Sequence, residues 1–222
     1  MVRDELSSFI YSVSHDLRAP LRTILGFSEA LAEDYGQRLD EQGRDYVERI
    51  RSATLRMEHL LESLTELSQI SRRELHRQTV SVSDLCASIV ASFRRASPGR
   101  ALHVTIEPAL ILEGDQTLLE SCFRHLIDNA VKFTGKRASA HIEIGSAQQD
   151  GRRVIYIRDD GAGFEQAYAG KMFGAFQRLH SNSEFDGLGM GLAIVQRVVS
   201  RHGGTVWATG KVGEGATVYL SL

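Results

Sequence analysis

SHDLRAP, residues 14–20, lies inside a pattern that predicts one long amphipathic helix in the first part of the chain. Apolar residues recur at helical spacing on both sides of it: Leu6, Ile10, Val13, Leu17, Leu21, Ile24 and Leu31. Pro20 has no amide proton to donate to the carbonyl of Asp16, so we expect the helix to kink or loosen there. His15 lies off the apolar stripe, which predicts that its ring faces solvent. A histidine, an acid and a weak point in the helix therefore share about one and a half turns.

A second amphipathic pattern follows the first and predicts a helical hairpin. The two patterns run over about residues 3–34 and 44–74, and residues 35–43 read as the connecting loop. Each helix has a wide apolar face, which a hairpin cannot cover by itself in water. A second copy of the chain would cover both faces, so we expect a homodimer built around an antiparallel four-helix bundle. Packing of the hairpin on the rest of the chain is the alternative.

Composition restricts the class of protein. The chain has 222 residues, of which 42% are hydrophobic, and a formal net charge of −2, so it gives no electrostatic case for nucleic acid or an anionic membrane as the main partner. We find no signal peptide and no apolar run that approaches the length of a membrane span, and we expect a cytoplasmic location. Because the sequence starts within a helical pattern, we also expect a fragment of a longer protein.

Cys86 and Cys122 lack the spacing of metal ligands. A disulfide between them is the alternative, but buried free thiols are favoured.

The remainder of the chain, after a boundary near residues 75–79, has the pattern of an α+β domain. Twelve of the 20 glycines fall between positions 161 and 215. Alternating apolar segments predict strands at 103–106, 141–144, 153–158, 204–208 and 216–220, and helical patterns lie at about 83–96, 115–132 and 189–202. Asp115 is the expected N-cap of the middle helix, Gly203 the expected stop of the last, and Asp150-Gly151 a hairpin turn. This arrangement predicts a mixed sheet with helices on one face.

Two glycine-rich segments are candidates for a phosphate site. Residues 159–163, DDGAG, end a predicted strand, and residues 187–191, GLGMG, open a predicted helix. Glycines at such places let backbone amides approach phosphates, although each segment alone more often marks a turn. The familiar phosphate loop and the dinucleotide fingerprint are both absent. His125, Asn129 and Lys132 share one helical face, where Asn offers an oxygen for magnesium and Lys a charge for phosphate.

Together these motifs resemble a sensor histidine kinase of two-component signalling across essentially the whole chain. Residues 14–20 are similar to its phospho-acceptor box, and five later segments follow in the family's order. They are the N box at 125–134, the G1 box at 159–163, the F box at 173–176, the G2 box at 187–191 and the last glycine motif at 213–215. The run FQRLH at 176–180 further resembles the kinase cores of phytochrome-like or PAS-linked sensors.

The resemblance implies an enzyme of two domains. Residues 1–76 would be the dimerisation and histidine phosphotransfer domain, and residues 77–222 a catalytic ATP-binding domain, an α/β sandwich of the GHKL type. The chain would phosphorylate His15 with ATP and pass the phosphoryl group to an aspartate of a response regulator receiver domain, under an upstream sensory domain outside this chain. A catalytically silent dimerisation and nucleotide-sensing module is the alternative.

The resemblance also implies roles for individual residues. His15 would be the nucleophile and Asp16 its proton partner, while Asp159 would accept a hydrogen bond from the adenine amine and Asn129 would hold Mg²⁺. The segment 177–188 would form a lid over ATP. The implied nucleotide-binding set is His125, Asn129, Lys132, Asp159, Gly161, Gly163, Arg178, Gly187, Gly189 and Gly191.

Two positions depart from the family pattern. His125 stands where these kinases often have asparagine and where other GHKL ATPases have a glutamate base, which leaves its role open. Ala19 stands four residues after His15, where members with phosphatase activity often carry threonine or asparagine, so we expect little phosphatase activity.

Overall fold

Two long helices make up the first part of the chain. The computed structural model describes residues 2–149, 151–181 and 184–222. In it, α1 spans Val2–Tyr35 and α2 spans Glu41–Arg72, and the two pack side by side as a hairpin within a unit that comprises Met1–Arg72. The predicted helical hairpin is confirmed.

The seam inside the hairpin is built from small hydroxyl side chains as much as from leucines. Buried residues repeat every seven positions along it, as in a coiled coil: Ser14, Leu21 and Ser28 on α1, and Thr54, Leu61 and Ser68 on α2. The hydroxyls of Ser28 and Thr54 donate to carbonyls of their own helices, at 2.7 and 2.9 Å, so burying them leaves no unsatisfied donor. Small residues at these positions let the two helices approach closely.

Most of the apolar stripe predicted on α1 lies outside this seam. Leu21 is buried, whereas Val13, Leu17, Ile24, Phe27 and Leu31 are exposed, Phe27 to 70%. On α2, Tyr46, Ile50 and Met57 are exposed as well. The hairpin therefore uses only part of its apolar surface for its own packing.

The connection between the helices is shorter than predicted. It comprises residues 36–40 instead of 35–43, because the Asp40 carboxylate accepts the amide proton of Gly43 at 2.7 Å and starts α2 at Glu41. The second helix ends at Arg72, two residues before the predicted end. α1 continues through Pro20 as one helix.

A mixed five-stranded sheet forms the second unit, Arg73–Leu222, with three helices. Its strands, in spatial order, are β2 (Ala101–Ile106), β4 (Ser139–Gln149), β5 (Arg152–Asp159), β7 (Gly215–Ser221) and β6 (Thr205–Lys211). β2 and β4 are parallel and all other neighbours antiparallel. The helices are α3 (Val82–Ala96), α4 (Gln116–Phe133) and α5 (Gly191–Arg201), and a 3₁₀ turn covers Gln166–Tyr168.

The core of this unit lies between the sheet and the helices. Alternate residues of β4 and β5, such as Ile142, Ile144 and Ile157, are buried, whereas Glu143, Tyr156 and Arg158 on the opposite face are partly or fully exposed. Phe123 and Ile194 pack from the helices and are completely buried. The sheet is therefore covered on one face, as predicted.

The predicted N-cap of α4 and the predicted stop after α5 are confirmed. Asp115 caps α4 by accepting the Leu118 amide proton at 3.1 Å, and Gly203 follows α5 with φ +84°. β4 and β5 form the predicted hairpin, although Asp150 of its turn lies outside the described residues. α5 begins at Gly191, at the end of the glycine run, instead of at residue 189. A two-stranded sheet of β1 (Gln78–Ser81) and β3 (Ile111–Gly114) was not predicted.

Cys86 and Cys122 are free and buried, as favoured from the sequence. Burial raises the pKa of both thiols to about 12, so neither is a reactive thiolate at neutral pH. Among the described helices, none combines the length and the apolar character that crossing a bilayer requires.

Candidate functional site

His15 is an exposed side chain next to an exposed acid. Their side chains are 72% and 77% exposed, and His15 Nδ1 lies 3.3 Å from Asp16 Oδ1. When Nδ1 carries the proton and donates it to the carboxylate, Nε2 keeps its lone pair and points away from this contact. The His15 ring therefore faces solvent, as its position off the apolar stripe predicted.

Asp159 is a buried carboxylate at the end of β5. Its residue is 8% exposed, and burial raises its pKa to about 6, an effect that hydrogen bonds from the amides of Gly161 and Ala216 oppose. The Gly161 amide donates to Oδ1 at 2.9 Å. An acid that is buried with no salt-bridge partner among the described residues is unusual for a purely structural group, and it fits a site that receives a polar donor from a ligand.

Gly161 and Gly163 let the loop after β5 lie against neighbouring backbone. A Cβ at Gly161 would meet the Phe133 carbonyl oxygen at 2.6 Å, and one at Gly163, where φ is +63°, would meet the Lys211 carbonyl oxygen at 1.9 Å. No side chain fits at either place. The two glycines thus hold the loop between the end of α4 and the turn that joins β6 to β7.

Three predicted residues share one face of α4. Lys132 Nζ donates to Asn129 Oδ1 at 3.0 Å, and burial lowers the pKa of Lys132. One turn earlier, the His125 ring lies against the first residue of α5, since a Cβ on Gly191 would be 3.3 Å from Nδ1. The structure therefore gathers an amide oxygen, a partly desolvated ammonium group and an imidazole beside the glycine run.

The segment before α5, described over residues 177–181 and 184–190, is folded against this face. A Cβ on Gly187 would lie 3.2 Å from Lys132 Nζ, and Gly189, at φ +71°, packs on the Gln177 carbonyl. The Arg178 guanidinium donates to the carbonyls of Phe185, at 2.6 Å, and Gly187. Through these hydrogen bonds Arg178 stabilises the backbone conformation of the segment at Phe185 and Gly187.

Sequence reasoning missed an aromatic cluster at this site. The rings of Phe133, His180 and Phe185 lie with centroids 5.2–5.3 Å apart. His180 Nε2 lies 3.0 Å from the Gly163 carbonyl oxygen, to which it donates, and Lys136 Nζ lies 4.8 Å from the centroid of the Phe185 ring. The cluster joins the segment before α5 to the loop after β5. In the sequence, Phe133 directly follows Lys132 and His180 ends the run FQRLH, but neither position indicates that the rings meet.

The chemistry of the two units is complementary. The first carries an exposed histidine beside an exposed acid, and the second carries a buried acid, a cation, an amide oxygen and glycine-lined backbone beside a helix start. Such a second site suits a ligand with a polar aromatic base at one end and anionic oxygens at the other.

Comparison with protein families agrees with this division. Residues 5–73 match the family model of the His Kinase A (phospho-acceptor) domain, and residues 114–222 match that of the Histidine kinase-, DNA gyrase B-, and HSP90-like ATPase. The first match contains His15 and Asp16, and the second contains every other predicted site residue.

Individual relatives resemble the chain over almost its whole length. Cyanobacterial phytochrome B of Nostoc sp. (strain PCC 7120) is 34% identical over 98% of this chain and 29% of its own. The methanogenesis regulatory histidine kinase FilI of Methanothrix harundinacea is 32% identical over 98% of this chain and 24% of its own. The crystal structure of full-length ShkA in complex with AMPPNP aligns with a TM-score of 0.64 and 26% identity, over 96% of this chain and 45% of that one. The chain spans less than a third of the length of these two curated relatives.

Proposed function

The chain belongs to the histidine kinase family, with a phospho-acceptor domain followed by an ATPase domain, and from this premise we propose that it is the kinase core of a two-component sensor. Residues 1–76 serve dimerisation and phosphotransfer, and residues 77–222 bind ATP and catalyse the reaction. The core phosphorylates its own His15 and then passes the phosphoryl group to an aspartate of a response regulator receiver domain. It acts in the cytoplasm under a sensory domain that precedes it.

The exposed His15–Asp16 pair carries this proposal. His15 Nε2 attacks the γ-phosphorus of ATP, a P–N bond forms, and the bond to the ADP oxygen breaks. The reaction uses the tautomer in which Nδ1 carries the ring proton, so that the attacking nitrogen carries none. As positive charge develops on the ring, Asp16, at 3.3 Å, stabilises the proton on Nδ1 or accepts it.

The second unit supplies the nucleotide site. Asp159 accepts a hydrogen bond from the adenine amine. The burial of its carboxylate supports this role, because a buried acceptor favours a donor supplied by a ligand. Lys132 and His125 face the phosphates from α4, and the amides around Gly187, Gly189 and Gly191 approach them from the start of α5. Arg178 shapes the lid, the segment 177–188, of which residues 182 and 183 lie outside the described residues, through its bonds to the carbonyls of Phe185 and Gly187.

Asn129 is the protein ligand that we assign to Mg²⁺. Among the described residues, no group of three or more His, Cys, Asp or Glu side chains is gathered to hold a metal. Magnesium is commonly held by one or two protein oxygens together with substrate phosphates, and Asn129 Oδ1, already oriented by Lys132 at 3.0 Å, fits that mode. When bound, the ion neutralises phosphate charge.

We further propose that the hairpin pairs with a second copy of the chain. The exposed apolar residues on α1, from Val13 to Leu31, form a stripe that α2 does not cover. A four-helix bundle would bury this stripe, which water otherwise contacts at a cost of roughly 25 cal/mol per Å².

Incubation with labelled ATP and magnesium tests the proposed function. The wild-type chain should gain label that is stable to base and labile to acid, as expected for phosphohistidine. His15→Ala should gain none while binding ATP with unchanged affinity, because the two sites lie in different units. His59→Ala is the matched control, since His59 is another exposed histidine of the hairpin and should leave labelling intact.

Transfer is tested in the same reaction by adding a receiver domain. Label should leave His15 and appear on the receiver in an acid-stable, base-labile form typical of an acyl phosphate. Labelling that persists in His15→Ala would show a different acceptor. A wild-type chain that binds ATP but gains no label would favour the silent nucleotide-sensing module.

A further inference from the structure

The side chain of Arg137 bridges two loops that border the candidate nucleotide site. Arg137 follows α4 and is exposed. Its Nε donates to the Asp160 carbonyl oxygen at 2.9 Å, and one terminal nitrogen donates to the Gly213 carbonyl oxygen at 2.6 Å. Because the guanidinium group is planar and carries its donors in a fixed fork, one side chain satisfies both acceptors at a defined separation.

Both acceptors belong to backbone that lies next to Asp159. Asp160 is the residue after Asp159, and Gly213 is in the turn between β6 and β7. The residue that ends that turn lies directly against Asp159, since a Cβ on Gly215 would meet the Asp159 carbonyl oxygen at 2.0 Å. A shift of either loop would therefore move the buried carboxylate or the backbone that encloses it.

The bridge completes a closed ring of hydrogen bonds. The Phe133 carbonyl, at the end of α4, accepts the Ala162 amide proton at 3.1 Å, and the Ala162 carbonyl accepts the Gly213 amide proton at 2.7 Å. Arg137 connects Gly213 to Asp160 and, through its own amide, bonds the Thr134 carbonyl at 2.9 Å. The helix that carries Asn129 and Lys132 is thereby tied to the loop that carries Asp159.

Asp160 is also held from the other side. Its carboxylate accepts the His141 amide proton at 2.9 Å and lies 3.1 Å from His141 Nδ1, and its own amide donates to the His141 carbonyl at 3.2 Å. These bonds fix Asp160 to β4, whereas Arg137 provides the side-chain link from Asp160 to the turn at Gly213. The Gly213 turn is thus the element whose position depends most on Arg137.

We propose that Arg137 is a positioning residue for nucleotide binding, which sets the separation between the Asp159 loop and the Gly213–Gly215 turn. The inference rests on the proposed nucleotide site. Loss of Arg137 should therefore weaken the affinity for the adenine base and leave the rate of phosphoryl transfer to His15 unchanged.

Calorimetric titration of the full chain with ATP and magnesium, together with autophosphorylation kinetics, tests this. Arg137→Ala should raise the Kd and KM for ATP about five- to tenfold, as expected for the loss of charge-assisted bonds at an exposed site, with kcat within about twofold of wild type. Arg137→Lys should be intermediate, since a single ammonium group keeps the charge but cannot bridge two carbonyls in fork geometry. Arg153→Ala is the matched control: Arg153 is an exposed arginine at the opposite end of β5, 3.9 Å from Glu107, and should leave all values unchanged.

Hydrogen exchange without nucleotide gives a readout independent of ATP. Arg137→Ala should speed exchange of the amides at 160–163 and 212–215 and leave strand β5 unchanged. Full wild-type affinity in Arg137→Lys would overturn the inference, because simple attraction of a charge to the phosphates would then suffice. So would an unchanged Kd in Arg137→Ala, or faster exchange throughout the unit with a lower kcat, which indicates general destabilisation.

Failure of the proposed function would look different. A wild-type chain that bound no ATP would remove both the proposed nucleotide site and the role of Arg137 in it. A wild-type chain that bound ATP with an affinity insensitive to Arg137 would overturn the inference alone.

Discussion

At the scale of single residues, Asp159 combines a cost in stability with the adenine-binding role that we propose for it. Burial raises its pKa from 3.8 to about 6, so the folded state binds a proton more tightly than the unfolded state does. The stability linked to this group is therefore fully present below the unfolded pKa and is lost as pH rises from about 4 to about 6. A shift of this size corresponds to a cost on the order of 3 kcal/mol at neutral pH.

Asp159→Asn should therefore stabilise the nucleotide-free protein while it weakens nucleotide binding. The amide cannot ionise, and its oxygen can still accept the Gly161 amide proton. At pH 7.5 we expect the second unit to gain about 1–3 kcal/mol in free energy of unfolding, and ATP affinity to fall about tenfold or more. Chemical denaturation and calorimetry measure the two effects.

The pH dependence provides the check on this explanation. The gain should shrink as pH falls from 6 to 4, because the wild-type carboxyl is then protonated too. Glu120→Gln, which changes an exposed acid paired with Arg124 at 2.8 Å, should alter stability by less than about 0.5 kcal/mol at any pH. A destabilised Asp159→Asn at pH 7.5 would mean that the ionised carboxylate is favoured by its surroundings, contrary to the effect of burial.

At the scale of elements, His202 joins the end of α5 to the start of α4. The residue is 3% exposed. Its Nε2 accepts the Asp115 amide proton at 3.0 Å, so Nδ1 carries the ring proton and donates it to the Val198 carbonyl at 2.8 Å. Asp115 in turn caps α4 and accepts the His76 amide proton at 3.2 Å, and Arg77 donates to the His202 carbonyl at 2.7 Å. The imidazole thus connects α5 to the start of α4, while the Asp115 carboxylate and the His202 main-chain carbonyl hold residues 76 and 77 beside them.

We expect His202→Ala to lower the free energy of unfolding of the second unit by about 2–4 kcal/mol, since it leaves a cavity and an unpaired buried amide at Asp115. Denaturant titration measures the loss. His103→Ala is the control, because His103 is exposed and stacks on His141 with ring centroids 5.0 Å apart, and should cost less than about 1 kcal/mol. Equal effects of the two substitutions would contradict the role assigned to His202.

The elements that were predicted well are those with a local signal. The two long helices and the β4–β5 hairpin follow from periodicity over many residues, and the start of α4 follows from Asp115 alone. The pairing of β1 with β3 lacked such a signal. Each strand has only four residues, and paired residues such as Val80 and Leu112 are about thirty positions apart in the sequence. Nonlocal pairing of short strands is decided by packing, which periodicity does not report.

The same distinction applies to the site. Motif order identified its glycines and the polar face of α4, because those residues occur in short runs. The bridge from Arg137 to Gly213 and the cluster of Phe133, His180 and Phe185 join positions far apart in sequence. Nothing in the neighbourhood of Arg137 distinguishes it from other arginines until the fold brings the two carbonyls together.

At the scale of the whole molecule, the apolar stripe on α1 is the feature that a single chain leaves unexplained. The helices meet through a seam with Ser14, Ser28 and Thr54, while Phe27 and Ile24 are 70% and 45% exposed. Such a distribution is the reverse of what a free-standing hairpin needs, since the larger apolar side chains lie outside. It is what a hairpin needs when a second hairpin covers it.

Phe27→Asp should therefore separate the proposed dimer without unfolding its hairpins. Phe27 lies outside the seam between α1 and α2, so the substitution should leave the helical content of each chain intact, whereas a charge placed in the bundle core is costly without a partner. We expect light scattering to report about 49 kDa for the wild-type chain, twice its 24.6 kDa, and a monomer for Phe27→Asp at the same micromolar concentration. Val212→Asp, at a residue 63% exposed in the turn after β6, is the control and should remain dimeric. A wild-type monomer with full helical content would overturn the dimer, and a Phe27→Asp chain that stays dimeric would place the interface on another face of the hairpin.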